Sequence, residues 1–205
     1  MNLKTLKILQ TKNYLLKNSI YGFSKLYEAN VTEILLELEH DSDIIIFGID
    51  PGTTHLGISK LLSSKDENGA TAIIYEINFS RADNAIERID TVSQILQHFL
   101  TYDPYFGIVD YKVAIEGASY GNPYRQVELA EVRAACACWG IKNYASNIRF
   151  IPPSTVRKTT FGNGKLPAQV FWTELEEYPN AAAALSIALA MKIQDENNET
   201  KVSDK

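Results

Sequence analysis

The sequence lacks the features that would place it in a membrane or in a disulfide-bonded class. It contains no run of 18 or more apolar residues, so no membrane-spanning helix is expected. Its first residues lack an apolar core followed by small residues, so we expect no signal peptide. Its two cysteines, Cys136 and Cys138, are too few for a zinc site, and we interpret both as reduced and buried. These absences favour an intracellular protein.

The chain also lacks a net positive charge, because its formal net charge is -5. The charge is unevenly distributed, however. From Gly117 to Ala168 there are seven basic and two acidic residues, so this segment carries a net charge of +5. Two interpretations stay open: a surface that binds phosphate groups, or solvated charge scattered over an ordinary surface. The length of 205 residues allows one domain with a full core and an appendage.

The order of apolar runs, turns and helical stripes predicts an α/β domain that begins near residue 43. Before it lies an extension, residues 1–42, in which the run from Val31 to Leu38 fits either a helix or a strand. After it, residues 193–205 are polar, and we expect a disordered tail. The expected elements are strands at 44–50, 55–63, 70–79, 112–116 and 148–151, helices at 84–100, 123–144, 165–177 and 179–191, and a loop at 154–164.

Two carboxylates end buried strands. Asp50 follows the apolar run that begins at Ile44, and Glu116 follows the run that begins at Lys112. A carboxylate next to an apolar interior is costly unless it is paired, and a metal ion is a common partner. The alternative for Asp50 is a cap on the turn at Pro51. In a mixed sheet, strand ends from distant parts of the chain meet at one edge, so we expect the two carboxylates to lie together.

Four motifs in order resemble a known family. They are Gly48–Thr54 with Leu56–Ile58, Ala114–Gly117, Gly162–Lys165 and Ala181–Ala188. Together they resemble the RuvC-like Holliday-junction resolvases, nucleases of the RNase H-like superfamily, over roughly residues 44–192. The resemblance implies an α/β fold with a mixed five-stranded sheet flanked by helices. Its domain would cover residues 43–192, and the N-terminal extension would be a packing arm or an element that contacts DNA or a second copy.

The resemblance also implies two Mg²⁺ ions, for which Mn²⁺ can substitute, held by four acidic ligands. Asp50 and Glu116 match the first two ligands, and the last two should lie three residues apart on the final helix. The matching positions are Asn180 and Ala183. They share one helical face, but an amide and a methyl group stand where carboxylates are expected.

Three explanations of Ala183 stay open. The first is an engineered Asp-to-Ala change that inactivates the protein. The second is a natural protein that binds DNA without cutting it, in keeping with Asn180. The third is a shifted alignment in which Glu176 or Glu177 fills the empty position.

The resemblance gives the basic segment a role in binding branched DNA, especially four-way junctions. The residues expected to contact phosphates are Arg125, Arg133, Arg157, Lys158 and Lys165. Tyr120, Tyr124 and Phe161 are candidates for stacking on junction bases, and the alternative for each is a place in the core. A homodimer with two-fold symmetry would match the symmetry of a four-way junction.

The expected function is therefore a Mg²⁺-dependent crossover-junction endodeoxyribonuclease that hydrolyses phosphodiesters with two metal ions, impaired in this chain at Ala183. We expect it in the cytoplasm or another intracellular compartment that contains DNA, without a membrane partner. The alternative is a non-catalytic junction-binding protein. The phosphate loop of sugar-kinase, actin and Hsp70-like ATPases also resembles Asp50–Thr54, but those proteins need two such domains and a second phosphate loop.

Overall fold

The computed structural model describes residues 6–18, 27–38, 45–62, 70–101, 111–118 and 123–203. The strands are β1 (Leu6–Asn18), β2 (Tyr27–Leu38), β3 (Ile45–Pro51), β4 (His55–Leu62), β5 (Ala70–Phe79), β6 (Tyr111–Glu116) and β7 (Asn147–Ile151). The helices are α1 (Ala85–Thr101), α2 (Pro123–Lys142), α3 (Pro153–Phe161) and α4 (Pro179–Ser203), with short 3-10 turns at Ala168–Val170 and Thr173–Leu175.

All seven strands form one mixed sheet in the order β1-β2-β5-β4-β3-β6-β7. The pairs β1–β2, β2–β5, β5–β4 and β4–β3 are antiparallel. The pairs β3–β6 and β6–β7 are parallel. Strands β3 to β7 are the five that the sequence predicts, so the predicted fold class is confirmed. None of the helices that the structure describes is long and apolar enough to span a lipid bilayer.

The described part of the N-terminal extension adds two further strands to this sheet. Strand β2 pairs with β5 along ten residues, from Ala29 opposite Phe79 to Leu38 opposite Ala70. The ambiguous run that starts at Val31 is a strand because its apolar side chains, including Ile34, enter the core beside β5.

Apolar side chains fill both faces of the sheet, which gives three layers. One face packs against α4 and α3 through residues such as Ile46, Ile74 and Leu185. The other packs against α1 and α2 through residues such as Ile49 and Ile95. The central strands are therefore buried on both sides, as their continuous apolar runs indicate.

Helix α4 lies unusually close to the sheet because glycines stand beneath it. A Cβ atom on Gly48 would come within 2.1 Å of the Ala184 carbonyl oxygen, and one on Gly57 within 2.1 Å of the Asn180 carbonyl oxygen. The Ser59 hydroxyl donates a hydrogen bond to the same Ala184 oxygen at 2.8 Å. This close approach fixes the start of α4 above β3 and β4.

Two predictions about elements in the second half of the chain are wrong. The expected loop at 154–164 is mostly α3, which has prolines at its start and ends at Gly162, where φ is 72°. The expected helix at 165–177 consists of two 3-10 turns, where the indole of Trp172 donates to Ser186 at 2.8 Å. These tertiary contacts override the helical propensity of the segment.

The expected disordered tail is helical as far as Ser203, because α4 continues without a break. An ion-pair cluster explains the order at its start. Asp195 accepts from Lys112 at 2.7 Å and from Arg149 at 2.6 Å, which ties α4 to β6 and β7. The prediction that both cysteines are buried holds for Cys136 but is wrong for Cys138, which is exposed.

Candidate active site

The structure brings Asp50 and Glu116 together at the carboxyl ends of two neighbouring strands. Strands β3 and β6 run parallel with Ile49 opposite Ile115, so the next residue of each strand is one of these acids. Their side chains lie close enough for a hydrogen bond between the two carboxyl groups. Two carboxyl groups can make such a bond only when one of them carries a proton.

The electrostatics of the pair favour a shared proton. Burial raises the pKa of Asp50 well above its usual range, and the negative charges of Glu116 and then Glu76 raise it further. Burial also raises the pKa of Glu116, while the positive charges of Arg133 and Arg157 oppose that shift. The pair therefore favours a bound proton, or another cation in its place.

Arg133 supports the site from inside the protein. Its side chain is buried on α2, and its Nε donates to the backbone oxygen of Glu116 at 3.0 Å. The expectation that Arg133 contacts DNA phosphates from the surface is therefore wrong, because its guanidinium packs beneath the end of β6. Its charge also lowers the pKa values of Asp50 and Glu116.

A third acid, Glu76, lies close to this pair, and the sequence reasoning missed it. Asp50 pairs with Gly57 on β4, and Gly57 pairs with Glu76 on β5. Because directly paired residues point to the same face of a sheet, Asp50 and Glu76 flank the space above Gly57. The available signal was a single acid in the otherwise apolar run of β5, where Glu76 is 6% exposed.

Glu76 binds the first turn of α4 with both carboxylate oxygens. Its Oε2 accepts the backbone N–H of Ala181 at 2.7 Å, and its Oε1 accepts the side-chain Nδ2 of Asn180. Burial raises the pKa of Glu76, and these hydrogen bonds oppose that shift. A carboxylate at a helix N-terminus also interacts favourably with the helix dipole.

Helix α4 thus delivers Asn180 to the edge of the acidic site. Asn180 and Ala183 are both partly buried, one helical turn apart. Asn180 carries an amide oxygen that is a possible cation ligand, whereas the methyl group of Ala183 cannot ligate a cation. Glu176 and Glu177 are exposed in the turn before α4, which gives no support to the shifted alignment.

Of the basic residues of α3 and the following loop, Arg157 lies close enough to the acids to act on Glu116. Arg157 donates to the backbone oxygens of Pro153 at 3.1 Å and Lys165 at 3.4 Å, and its charge acts on Glu116. Lys158 and Lys165 are exposed. Asn163 shapes this loop by accepting the Lys165 backbone N–H at 2.9 Å.

The remaining predicted DNA contacts have different outcomes. Phe161 stacks on Phe171 with ring centroids 4.1 Å apart and contacts Trp172 edge-on, as expected of a packing residue. Tyr120 and the side chains of Tyr124 and Arg125 lie outside the described residues.

The donor set fits one divalent cation better than two. Asp50 and Glu116 provide adjacent carboxylates whose shared proton a cation can replace, and the amide oxygen of Asn180 is a further hard ligand. Within the described residues, no group of three or more His, Cys, Asp or Glu side chains is arranged to hold a metal ion. The four-acid set implied by the resemblance is therefore not assembled from these residues.

Comparison with known proteins finds a similar architecture among solved structures. No protein-family profile and no curated protein sequence matches this chain. Among solved structures, RuvC from Thermus thermophilus superimposes with a TM-score of 0.57 at 19% identity, over 75% of this chain and 96% of RuvC. The chain has a RuvC-like fold. T. thermophilus RuvC in complex with a Holliday junction substrate superimposes with a TM-score of 0.58, with the same identity and coverage.

Proposed function

We propose that this protein binds branched DNA, with four-way junctions as its main substrate, and hydrolyses phosphodiesters slowly in a metal-dependent reaction. The observation that carries the proposal is the convergence of Asp50 and Glu116 at the start of α4 in a RuvC-like fold. The solved complex of T. thermophilus RuvC with a Holliday junction substrate supports the substrate class.

Asp50, Glu116 and the amide oxygen of Asn180 would hold the divalent ion, with Mg²⁺ the expected ion and Mn²⁺ a substitute. When bound, such an ion activates water for attack on the phosphate and stabilises the leaving oxygen. The chain's own carboxyl pair binds a proton in competition with the cation, so cation binding should strengthen as pH rises. Ala183 supplies no ligand, which is why we expect slow hydrolysis.

Arg157, Lys158 and Lys165 form a basic edge beside the acids. Arg157 lies nearest to Glu116, and both lysines are exposed where a DNA backbone would pass. Such residues neutralise phosphates without reading base sequence, which suits recognition of DNA shape. We assign Arg125 to the same role from its position on α2.

We further propose a homodimer that forms through α2. Exposed helix surface normally carries several charged residues, yet Lys142 is the only charged one among the exposed α2 side chains that the structure describes. Of the α2 side chains that the structure describes, the exposed ones are Val127, Ala130, Ala134, Cys138, Ile141 and Lys142.

The apolar members of this set are arranged symmetrically about Ala134. Val127 and Ile141 lie seven residues on either side, and Ala130 and Cys138 lie four residues on either side. An antiparallel second copy of α2 would therefore place Val127 against Ile141 and Ala130 against Cys138. The small central residues allow close helix approach, and the larger ends fill the flanks.

The decisive experiment measures binding and cleavage of a synthetic four-way junction by the wild-type chain and by an Ala183→Asp variant. Both should bind the junction in preference to a linear duplex of the same sequence. The added carboxylate should raise Mg²⁺-dependent cleavage by about 100-fold, equivalent to about 2.7 kcal/mol of transition-state stabilisation. An Asp50→Asn change in the Ala183→Asp background should abolish that cleavage.

The second candidate function is junction binding without catalysis, which the incomplete ligand set at Asn180 and Ala183 favours. In that case the junction binds, but Ala183→Asp does not restore cutting. Equal affinity for junction and linear duplex would contradict both candidates.

A further inference from the structure

We propose that Glu76 is a positioning residue of the active site, which holds the Asn180 amide so that its oxygen is the atom left for a cation. This inference rests on the proposed function, because it concerns the cation site formed by Asp50, Glu116 and Asn180. It assigns a role to a buried acid on β5, a strand that carries none of the predicted ligands.

The sheet register gives Glu76 access to α4. Adjacent strands lie about 4.8 Å apart, so Glu76 lies about 10 Å from Asp50 along the row that passes through Gly57. Because Gly57 has no side chain, the carboxylate of Glu76 can extend toward the start of α4. The negative charge of Glu76 also reaches Asp50, since it contributes to the raised pKa of that acid.

The hydrogen bonds then fix the orientation of the Asn180 amide. Both carboxyl oxygens of Glu76 accept hydrogen bonds here, so the NH₂ group of Asn180, and not its oxygen, faces Glu76. The Asn180 Nδ2 is held by one oxygen of Glu76, and the Ala181 backbone N–H is held by the other. The helix terminus and the amide are thus fixed together, and the amide oxygen is left for another partner.

Two substitutions of Glu76 separate the effect of its side-chain position from the effect of its charge. Glu76→Gln removes the charge and keeps the length, whereas Glu76→Asp keeps the charge but shortens the side chain by one methylene group. If Glu76 acts by position, both changes disturb the Asn180 amide, because the NH₂ group of the glutamine can occupy the Asn180 oxygen and the shorter aspartate no longer reaches both of its partners. If it acts only through its negative charge, Glu76→Asp behaves like the wild-type chain.

The test is a titration of the full-length chain with Mn²⁺ alone, followed by electron paramagnetic resonance. We expect Glu76→Gln and Glu76→Asp each to weaken Mn²⁺ binding by about tenfold, the scale typical of residues that orient metal ligands. Wild-type affinity in Glu76→Asp, wild-type affinity in both variants, or no measurable Mn²⁺ binding by the wild-type chain would each overturn the proposal.

A double variant, Glu76→Gln with Asn180→Asp, is the control for loss of Mn²⁺ binding through misfolding. A glutamine at position 76 can accept the Ala181 N–H and donate to an aspartate at position 180, so both hydrogen bonds are preserved in exchanged form. We expect this variant to melt like the wild-type chain and to bind Mn²⁺ at least as tightly. Weaker Mn²⁺ binding in a double variant that melts normally would contradict the proposal.

Junction binding without metal distinguishes this inference from the proposed function. If the wild-type chain binds no junction, the proposed function fails, while the Mn²⁺ comparison still decides the role of Glu76.

Discussion

The carboxyl pair of Asp50 and Glu116 costs the protein stability near neutral pH. The pKa of Asp50 is raised in the folded state, chiefly by burial and then by Glu116. Between the ordinary aspartate pKa and this raised value, the folded state binds more protons than the unfolded state. The free energy of unfolding therefore falls as pH rises through that window, and the penalty remains at higher pH. Such a cost is typical of a site built to bind a cation.

An Asp50→Asn variant should accordingly be more stable than the wild-type chain at pH 7. The amide can still hydrogen-bond Glu116 but carries no charge, so we expect a gain of about 1 kcal/mol, or roughly 2–4 °C in melting temperature. The gain should shrink near pH 4, where the wild-type pair is protonated. Thermal melts at both pH values measure the effect, with Glu199→Gln on the exposed face of α4 as a control. A lower melting temperature for Asp50→Asn at pH 7 would refute this account.

Lys60 gives a second pH dependence at the scale of one residue. It is buried on β4, and burial lowers its pKa to about 8. The unfolded chain keeps this lysine protonated up to its ordinary pKa of about 10.4. Between about pH 8 and 10 the unfolded state thus binds more protons, so Lys60 makes stability rise with pH.

Replacing Lys60 by methionine should remove this rise. Urea unfolding at pH 7.5 and 9.5 would show the wild-type chain gaining stability relative to Lys60→Met at the higher pH. Methionine has a similar length, so the packing of β4 should be kept. Parallel changes in both proteins would show that Lys60 is not the titrating group.

At the scale of elements, the contact between α4 and the sheet decides the geometry of the site. The Ala-rich start of the helix packs against Gly48 and Gly57, and this contact places Asn180 above Gly57, the residue that pairs with Asp50. The geometry of the site therefore depends on this helix–sheet packing.

A Gly57→Ala substitution tests that dependence. Its Cβ would lie 2.1 Å from the Asn180 carbonyl oxygen, so α4 must shift or the chain must unfold. We expect Gly57→Ala to lower the free energy of unfolding by well above about 1 kcal/mol. The control is Gly162→Ala, for which we expect a loss of roughly 1 kcal/mol, because a Cβ there meets no atom within 4 Å and only the positive φ is strained. Chemical denaturation of both variants gives the comparison. Equal losses would mean that the helix can move without cost.

The same elements show how far sequence reasoning reaches. The apolar runs of β3, β4 and β5 were predicted to within about a residue, because buried central strands have a strong local signal. The convergence of Asp50 and Glu116 followed from the parallel pairing of their strands. Glu76 was missed because its role depends on pairing through Gly57 and on α4, which are distant in sequence. Helix α3 was missed because its Thr-rich sequence is a weak helix former and its ends are defined by Pro153 and Gly162.

At the scale of the whole molecule, the extension and the end of α4 enlarge the domain at opposite edges of the sheet. Strands β1 and β2 extend it beyond β5, and Asp195 ties α4 to β6 and β7 at the other side. Both faces of the sheet are covered by helices. The uncharged stripe on α2 is thus the part of the described surface best suited to a second copy.

The symmetry of that stripe predicts a specific cross-link. In an antiparallel α2 pair, Ala134 lies on the two-fold axis, so an Ala134→Cys variant in a Cys138→Ser background should form a disulfide-linked dimer under mild oxidation. A Leu9→Cys change in the same background is the matched control, because Leu9 is 47% exposed on β1, at the edge of the sheet. Ile141→Asp should place a charge opposite Val127 and convert the protein to a monomer in analytical ultracentrifugation. A wild-type chain that sediments as a monomer at high concentration, or equal cross-linking at positions 9 and 134, would show that α2 is not the interface.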